Sequence, residues 1–429
     1  MKYDPINPEL FKINRKRFIE KMAPNTLAIF HSNDEMPRSG DQFYPFRQNR
    51  DLFALSGLDQ ERSILILYPD CPKPELREVA FVRRTNEHIA VWEGEKLTQE
   101  KAREISAIEN IIWDDQYENT LETMMIYTDG VYLNSNEHER FSSNVESRDN
   151  RLGKELMDKY PMHNYMRAQP LLKELAMVKN QYEVELMKRA CEITNKGFRR
   201  VLEFVKPGVW EHEIDGEIMR VFLANRASGH AYHPIIASGK NACVLHYNEN
   251  NRECKEGDLI LMDFGAEYAN YAADLSRTIP VSGRFTERQR NIYSAVLRTL
   301  KKATQLLRPG IALDDYEKEV GKLMTSELLG LGLLSKSDVE DQDPKKPAYK
   351  KYFMHGTSHH IGLDVHDLSN RYVPMKAGMV FTCEPGIYIP EENIGVRLEN
   401  DILVTEGDPV NLMEEIPIEI EEIEELMQK

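Results

Sequence analysis

Four carboxylates in two similar settings are the residues of this chain with the clearest chemical potential. Asp263 closes the run Gly257-Asp258-Leu259-Ile260-Leu261-Met262-Asp263-Phe264-Gly265, and Glu384 closes Gly378-Met379-Val380-Phe381-Thr382-Cys383-Glu384-Pro385-Gly386. Each run is a glycine, a mostly apolar stretch of buried-strand type, an acid, one further residue and a second glycine. A second acid follows in each copy: Asp274 after Tyr271-Ala272-Ala273, and Glu399 after Gly395-Val396-Arg397-Leu398. Each copy is expected to present its two acids from adjacent strands of a hairpin. Packed about a pseudo-two-fold axis, the copies would bring all four acids to one place, where uncompensated carboxylates repel strongly. Cations are therefore expected there. A single acid at a strand end is ordinarily a capped structural group, and the duplication is what argues for metal.

Nitrogen donors lie nearby in sequence. In His355-Gly356-Thr357-Ser358-His359-His360-Ile361-Gly362-Leu363-Asp364-Val365-His366 several imidazoles crowd a glycine-bearing segment. Spacing alone does not choose the ligand among them. An oxygen-rich set with one or two nitrogens favours manganese, or cobalt and zinc, over copper. A pair of such ions sharing bridging carboxylates activates water and clamps a developing oxyanion.

Long helices are needed to hold such a site. From Asn180, with Glu183 completing a capping box, Met187, Ala190, Cys191, Thr194, Phe198, Val201, Leu202 and Val205 keep helical spacing until Lys206-Pro207-Gly208. A second helix starts at Thr286 with Gln289 and runs through Ile292, Ala295, Val296, Thr299, Leu300, Ala303 and Leu307 to Arg308-Pro309-Gly310. The two stops resemble each other and belong to the same duplication.

Upstream, Asn7-Pro8 opens a helix bearing Leu10, Phe11, Phe18 and Met22. Strand-like runs follow at Thr26 to Phe30, Ser63 to Leu67, Glu78 to Val82 and Val131 to Leu133. A seam near residue 170 separates an α/β domain, residues 1–170, from a catalytic domain, residues 171–429; 429 residues exceed what one core ordinarily holds.

The formal charge of -16, from 55 basic and 71 acidic residues, is the wrong sign for general nucleic-acid binding. No apolar run is long enough to span a membrane and the amino terminus lacks a secretory pattern, so a cytoplasmic protein is expected. Five cysteines without a C-x-x-C pair give neither a disulfide framework nor a thiolate zinc site. The tail from Glu414 to Glu425, with seven Glu, reads as a solvated surface segment.

The motifs together resemble a known family. Leu261-Met-Asp-Phe-Gly-Ala-Glu-Tyr268 with Tyr271-Ala-Ala-Asp-Leu-Ser-Arg-Thr-Ile-Pro280 is similar to the first metal hairpin of the Xaa-Pro aminopeptidases, the aminopeptidase P branch of the methionine-aminopeptidase superfamily. The block from His355 to Asp367, Thr382-Cys-Glu-Pro-Gly-Ile-Tyr388 and Gly395-Val-Arg-Leu-Glu-Asn400 resemble its other blocks in the family's order. Arg38-Ser-Gly-Asp41 and Tyr44-Pro-Phe-Arg-Gln-Asn-Arg-Asp51 resemble its first-domain signature. The resemblance implies a mixed α/β (α+β) chain with a creatinase-like first domain and a pita-bread catalytic domain. It implies two divalent ions, most readily manganese, with cobalt or zinc as alternatives.

Carried over, Asp263 binds one ion, Asp274 and Glu399 bridge both, and His359 and Glu384 hold the second. Glu384 is then the general base for a metal-bridging hydroxide. His246 and His366 stabilise the tetrahedral intermediate, His355 shapes the proline-side pocket, and Tyr388 and Arg397 complete the hydrogen-bonded shell. Trp92 corresponds to a tryptophan that lines a neighbouring subunit's site, so a homodimer or homotetramer is implied. His360 and His233 depart from the family pattern. The implied activity is removal of the first residue from peptides with proline in second position. A prolidase shares the metal blocks; a non-catalytic pita-bread binding protein would have lost metal ligands.

Overall fold

The computed structural model describes residues 3–428 and divides into two compact units, residues 3–176 and 177–428. In the first, a six-stranded mixed sheet runs in the order Asn110–Trp113, Glu78–Val82, Ile64–Leu67, Thr26–His31, Gly130–Leu133, Asn164–Arg167. Its middle pairings are antiparallel and the outer ones parallel. All of Thr26–His31 is buried, as a central strand covered on both faces requires. The opening helix Glu9–Ile19 begins where Asn7 Oδ1 accepts the Glu9 N–H at 3.0 Å, and it packs on the sheet through an edge-to-face Phe18–Phe30 contact at 5.4 Å. The two outermost strands are shallowly buried, which is why no apolar run announces them.

The second unit carries the duplication. Its helix Gln181–Phe204 has the expected capping box, with Glu183 N donating to Asn180 Oδ1 at 3.2 Å and Asn180 N to Glu183 Oε2 at 2.8 Å. Helix Glu287–Thr304 is capped the same way by Thr286 and Gln289. The stop after each long helix repeats in detail. Gly208 N donates to Cys254 O and Cys254 N to Val209 O at 2.9 and 2.8 Å; Gly310 N donates to Met375 O and Met375 N to Ile311 O at the same distances. Three residues beyond each glycine a helix opens, Glu211–Ala224 and Leu313–Gly330. Gly257 and Gly378, which start the two carboxylate runs, share a positive φ of 84° and 89°.

Each run then becomes a strand. Leu259–Asp263 lies between Ile235–Ser238 and Ser276–Pro280, with Ile235, Asp263 and Ser276 in register. Val380–Cys383 pairs with Asn400–Leu403, Cys383 opposite Asn400, and Gly386–Ile389 pairs with Ile394–Arg397. The sheet pairing differs from a simple hairpin with acids on both strands: Asp263 ends a strand, while Asp274, Glu384 and Glu399 sit just outside strand ends. The acidic tail also differs from a solvated segment. Ile416, Ile420 and Ile423 are buried, and Glu419, Glu421 and Glu424 pair with Lys301 and Arg290. Its isoleucines recur at helical spacing, and their burial docks the helix Ile420–Met427.

No described helix is long and apolar enough to cross a membrane.

Candidate metal centre

Asp263 and Asp274 are brought together by a tight approach of two backbone limbs. Phe264 N donates to Leu275 O at 3.0 Å, and a Cβ on Gly265 would stand 1.7 Å from Ala273 O, so only glycine lets the limbs close there. The other copy joins at this point, where Glu399 N donates to Ser276 O at 3.1 Å. His359 arrives on a segment running antiparallel to Val380–Cys383, tied by Thr382 N to His359 O (2.9 Å) and Glu384 N to Thr357 O (2.8 Å).

The result is a cluster in which Asp274, His359 and Glu399 each offer a ligand atom, all within 4.8 Å of one another. His359 Nε2 is 3.5 Å from Asp274 Oδ2 and 3.6 Å from Glu384 Oε1. The other ring nitrogen, Nδ1, donates to His360 O at 3.0 Å, which fixes the ring with Nε2 aimed at the carboxylates. Asp263 joins through Tyr232, whose hydroxyl lies 2.6 Å from Asp263 Oδ1 and 2.5 Å from Asp274 Oδ1.

A second layer surrounds these groups. Arg397 donates to Asp263 Oδ2 (2.7 Å), Ser276 Oγ (2.8 Å) and Tyr388 Oη (2.9 Å), while Ser276 Oγ donates to Glu399 Oε2 at 2.7 Å. With Arg397 donating to it, the Tyr388 hydroxyl donates onward to His355 Nε2 at 2.7 Å, and His355 Nδ1 donates to Gly356 O at 2.7 Å. This chain keeps His355 neutral; burial, then Arg397, holds its pKa down at about 3. The His366 ring packs edge-on to His359 at 4.5 Å. His246 is exposed in a turn, and its charge is among those that disfavour protonation of His355.

The electrostatics of the cluster call for positive charge. Burial pushes the Asp263 carboxyl up, with Asp274 adding and Arg397 opposing; it pushes Glu399 well above the carboxylate range, reinforced by Asp274, Glu384 and Asp263. Burial likewise raises Glu384 to about 7, with Asp274 and Asp263 adding to it and His359 and Arg397 opposing. Burial would keep His359 neutral, but Asp274 and Glu384 outweigh it and lift its pKa to about 9. One phenolic proton cannot serve both contacts of Tyr232 unless a carboxyl also carries a proton. Carboxylates crowded this way are held either by protons or by divalent cations, and oxygen donors with one aimed imidazole fit hard or borderline divalent ions.

Sequence reasoning missed Tyr232 and Ser276. Ser276 lies inside the first metal-hairpin motif but had no role assigned; no motif marks Tyr232, whose signal was register, since Ile235 lies opposite Asp263 and Tyr232 stands just beyond that end. His233, exposed, stays outside the cluster. His360 is buried against Phe381 with ring centroids 4.1 Å apart, and burial, then Lys179, holds its pKa near 3. A neutral imidazole thus fills an apolar position. Trp92 lies in the first unit on helix Glu87–Glu93, exposed to 78%.

Comparison with known proteins gives the cluster a context. Residues 185–406 match the model of metallopeptidase family M24, and residues 11–132 match that of the aminopeptidase P N-terminal domain. The chain is 35% identical to the Xaa-Pro aminopeptidase of Escherichia coli (strain K12), covering 98% of both chains. Among solved structures it is similar to E. coli aminopeptidase P with the inhibitor Pro-Leu, at 31% identity, 99% coverage of each chain and a TM-score of 0.87. The zinc-substituted E. coli enzyme in complex with product matches with the same values.

Proposed function

The chain belongs to metallopeptidase family M24, and from that premise we propose that it is a metal-dependent Xaa-Pro aminopeptidase, releasing the first residue from Xaa-Pro-Yaa peptides. The observation that carries this reading is the convergence of Asp274, His359 and Glu399 within 4.8 Å. A divalent metal centre follows from the family and the donor set. Two ions, held by Asp263, Asp274, His359, Glu384 and Glu399, are the finer proposal. Manganese is favoured because four carboxylates and one imidazole make a hard site, with cobalt or zinc as substitutes.

When bound, the ions supply Lewis-acid activation of water and of the scissile carbonyl. The protein's own groups do the rest. Glu384 takes the proton of the attacking water and passes it to the departing amine. His246 and His366 donate hydrogen bonds to the tetrahedral intermediate. His355, kept neutral by Tyr388 and Arg397, walls the pocket for the second residue. Proline's fixed φ and missing N–H give that pocket a shape to select and no donor to satisfy.

Trp92 is assigned to the site of a neighbouring copy in a homodimer or homotetramer, for which its exposure next to the equally exposed Val91 is the support. Five free cysteines, with none bridged, fit a reducing, cytoplasmic setting.

The test is release of free Ala from Ala-Pro-Ala, Ala-Pro and Ala-Ala-Ala. Cleavage of the tripeptide Ala-Pro-Ala at least as fast as Ala-Pro, with Ala-Ala-Ala much slower, is expected. Cleavage of the dipeptide alone would move the assignment to a prolidase.

A further inference from the structure

Glu211 opens the helix Glu211–Ala224 with a fully buried side chain. Its Oε1 accepts from Ser238 N (2.7 Å), Ser238 Oγ (2.7 Å) and Asn241 Nδ2 (3.4 Å), and its Oε2 from Tyr247 Oη (2.8 Å) and Arg252 N (2.9 Å). Every one of these donors lies in residues 238–252, the segment that carries His246. A carboxylate accepts only, so it satisfies all of them at once and locks both limbs of the loop to one helix end.

His246 itself sits between two anchored neighbours. Leu245 and Tyr247 pack in one apolar cluster with Ile235, Ala237, Leu261 and Tyr388, so the loop's position is referred to the wall of the metal centre. The internal duplication supplies a parallel. Gly208 corresponds to Gly310, and three residues on, Glu211 corresponds to Leu313 at the start of the equivalent helix. The helix therefore opens in the second copy without an acid there. The second copy ties its own histidine-bearing segment from one turn further along, where Glu317 accepts from Thr357 N (2.7 Å) and Thr357 Oγ (3.1 Å).

We infer that Glu211 is the positioning residue of His246, acting on turnover through the loop rather than through substrate or metal. The inference rests on the role given to His246 above. In Glu211→Gln the new amide must turn an N–H toward at least one of these donors, loosening the loop while preserving volume.

The full chain, loaded with manganese, is tested as Glu211→Gln, His246→Ala and the double variant, with Ala-Pro-Ala as substrate. Amide hydrogen exchange across residues 239–252 should quicken in Glu211→Gln while bound metal stays at the wild-type level. Its kcat should fall by about 10²-fold with little change in KM, yet cost less than about threefold when His246 is already Ala. Unchanged exchange would overturn the tie whatever His246 does. Losses that multiply in the double variant would overturn the coupling. Full turnover of His246→Ala would overturn the reading of His246, and with it the catalytic purpose of the tie, even with exchange raised. Should Glu211→Gln fail to fold, Tyr247→Phe, which removes one donor only, must show the same coupling in weaker form or the inference fails.

Discussion

Tyr232 shares one hydroxyl between Asp263 and Asp274, and this makes it the most telling residue that no motif marks. In a loaded centre it would orient both ligands from outside. Tyr232→Phe is expected to weaken manganese affinity by about tenfold or more, read by calorimetric titration, with the fold intact by circular dichroism. Unchanged affinity would make the tyrosine a packing residue. The proposed two-ion arrangement predicts harsher losses: Asp274→Asn or Glu399→Gln should reduce activity by more than about 10²-fold, because an amide could not serve two cations as a carboxylate would. Away from the site, Asp149 is buried near Asp51, and burial followed by that repulsion raises its pKa to about 7. A carboxyl raised in the folded state binds protons more tightly than when unfolded, so its contribution is present at low pH and is lost as pH climbs from 3.8 toward about 7. Asp149→Asn should flatten that decline and raise the melting temperature at pH 8. A melting profile unchanged by the substitution would contradict the assignment.

The elements were legible where local chemistry alone decides them. Asn180 with Glu183 and Thr286 with Gln289 place the starts of both long helices to the residue, because capping boxes are short-range hydrogen-bond patterns. Asn180→Ala should cost about 1 kcal/mol of unfolding free energy, measured by denaturant titration. A loss near zero would mean that packing of the helix, not its cap, fixes that end. The four strand-like runs of the first unit stand within a residue of the observed strands, since apolar runs mark central positions. The strands Asn110–Trp113 and Asn164–Arg167 were not legible, because shallow edge positions leave polar residues unpenalised. The docking of the acidic tail was hidden for the opposite reason. Its glutamates dominate the composition, while the isoleucines beneath them and the arginine opposite do the holding.

At the scale of the whole molecule, the duplication is what made a function readable from sequence. Two weakly similar copies put an acid after each buried strand, and the paired Gly208 and Gly310 contacts show the same backbone solution used twice. The carboxylates and the histidine segment were visible because their motifs are short and contiguous, while only the family resemblance singled out His359 within that segment. The roles of Tyr232, Ser276 and Glu211 were not visible, because each acts across the fold on a residue far along the chain, and only strand register and loop closure bring them there. The site's charge balance yields the central claim: these acids are crowded to hold divalent cations. The most direct measurement is manganese titration of chelator-stripped protein, following heat release and Ala-Pro-Ala hydrolysis together. The account predicts that stripped protein is inactive, that activity returns with bound manganese, and that binding saturates at two ions per chain. Full activity after stripping, or saturation without any return of hydrolysis, would contradict it.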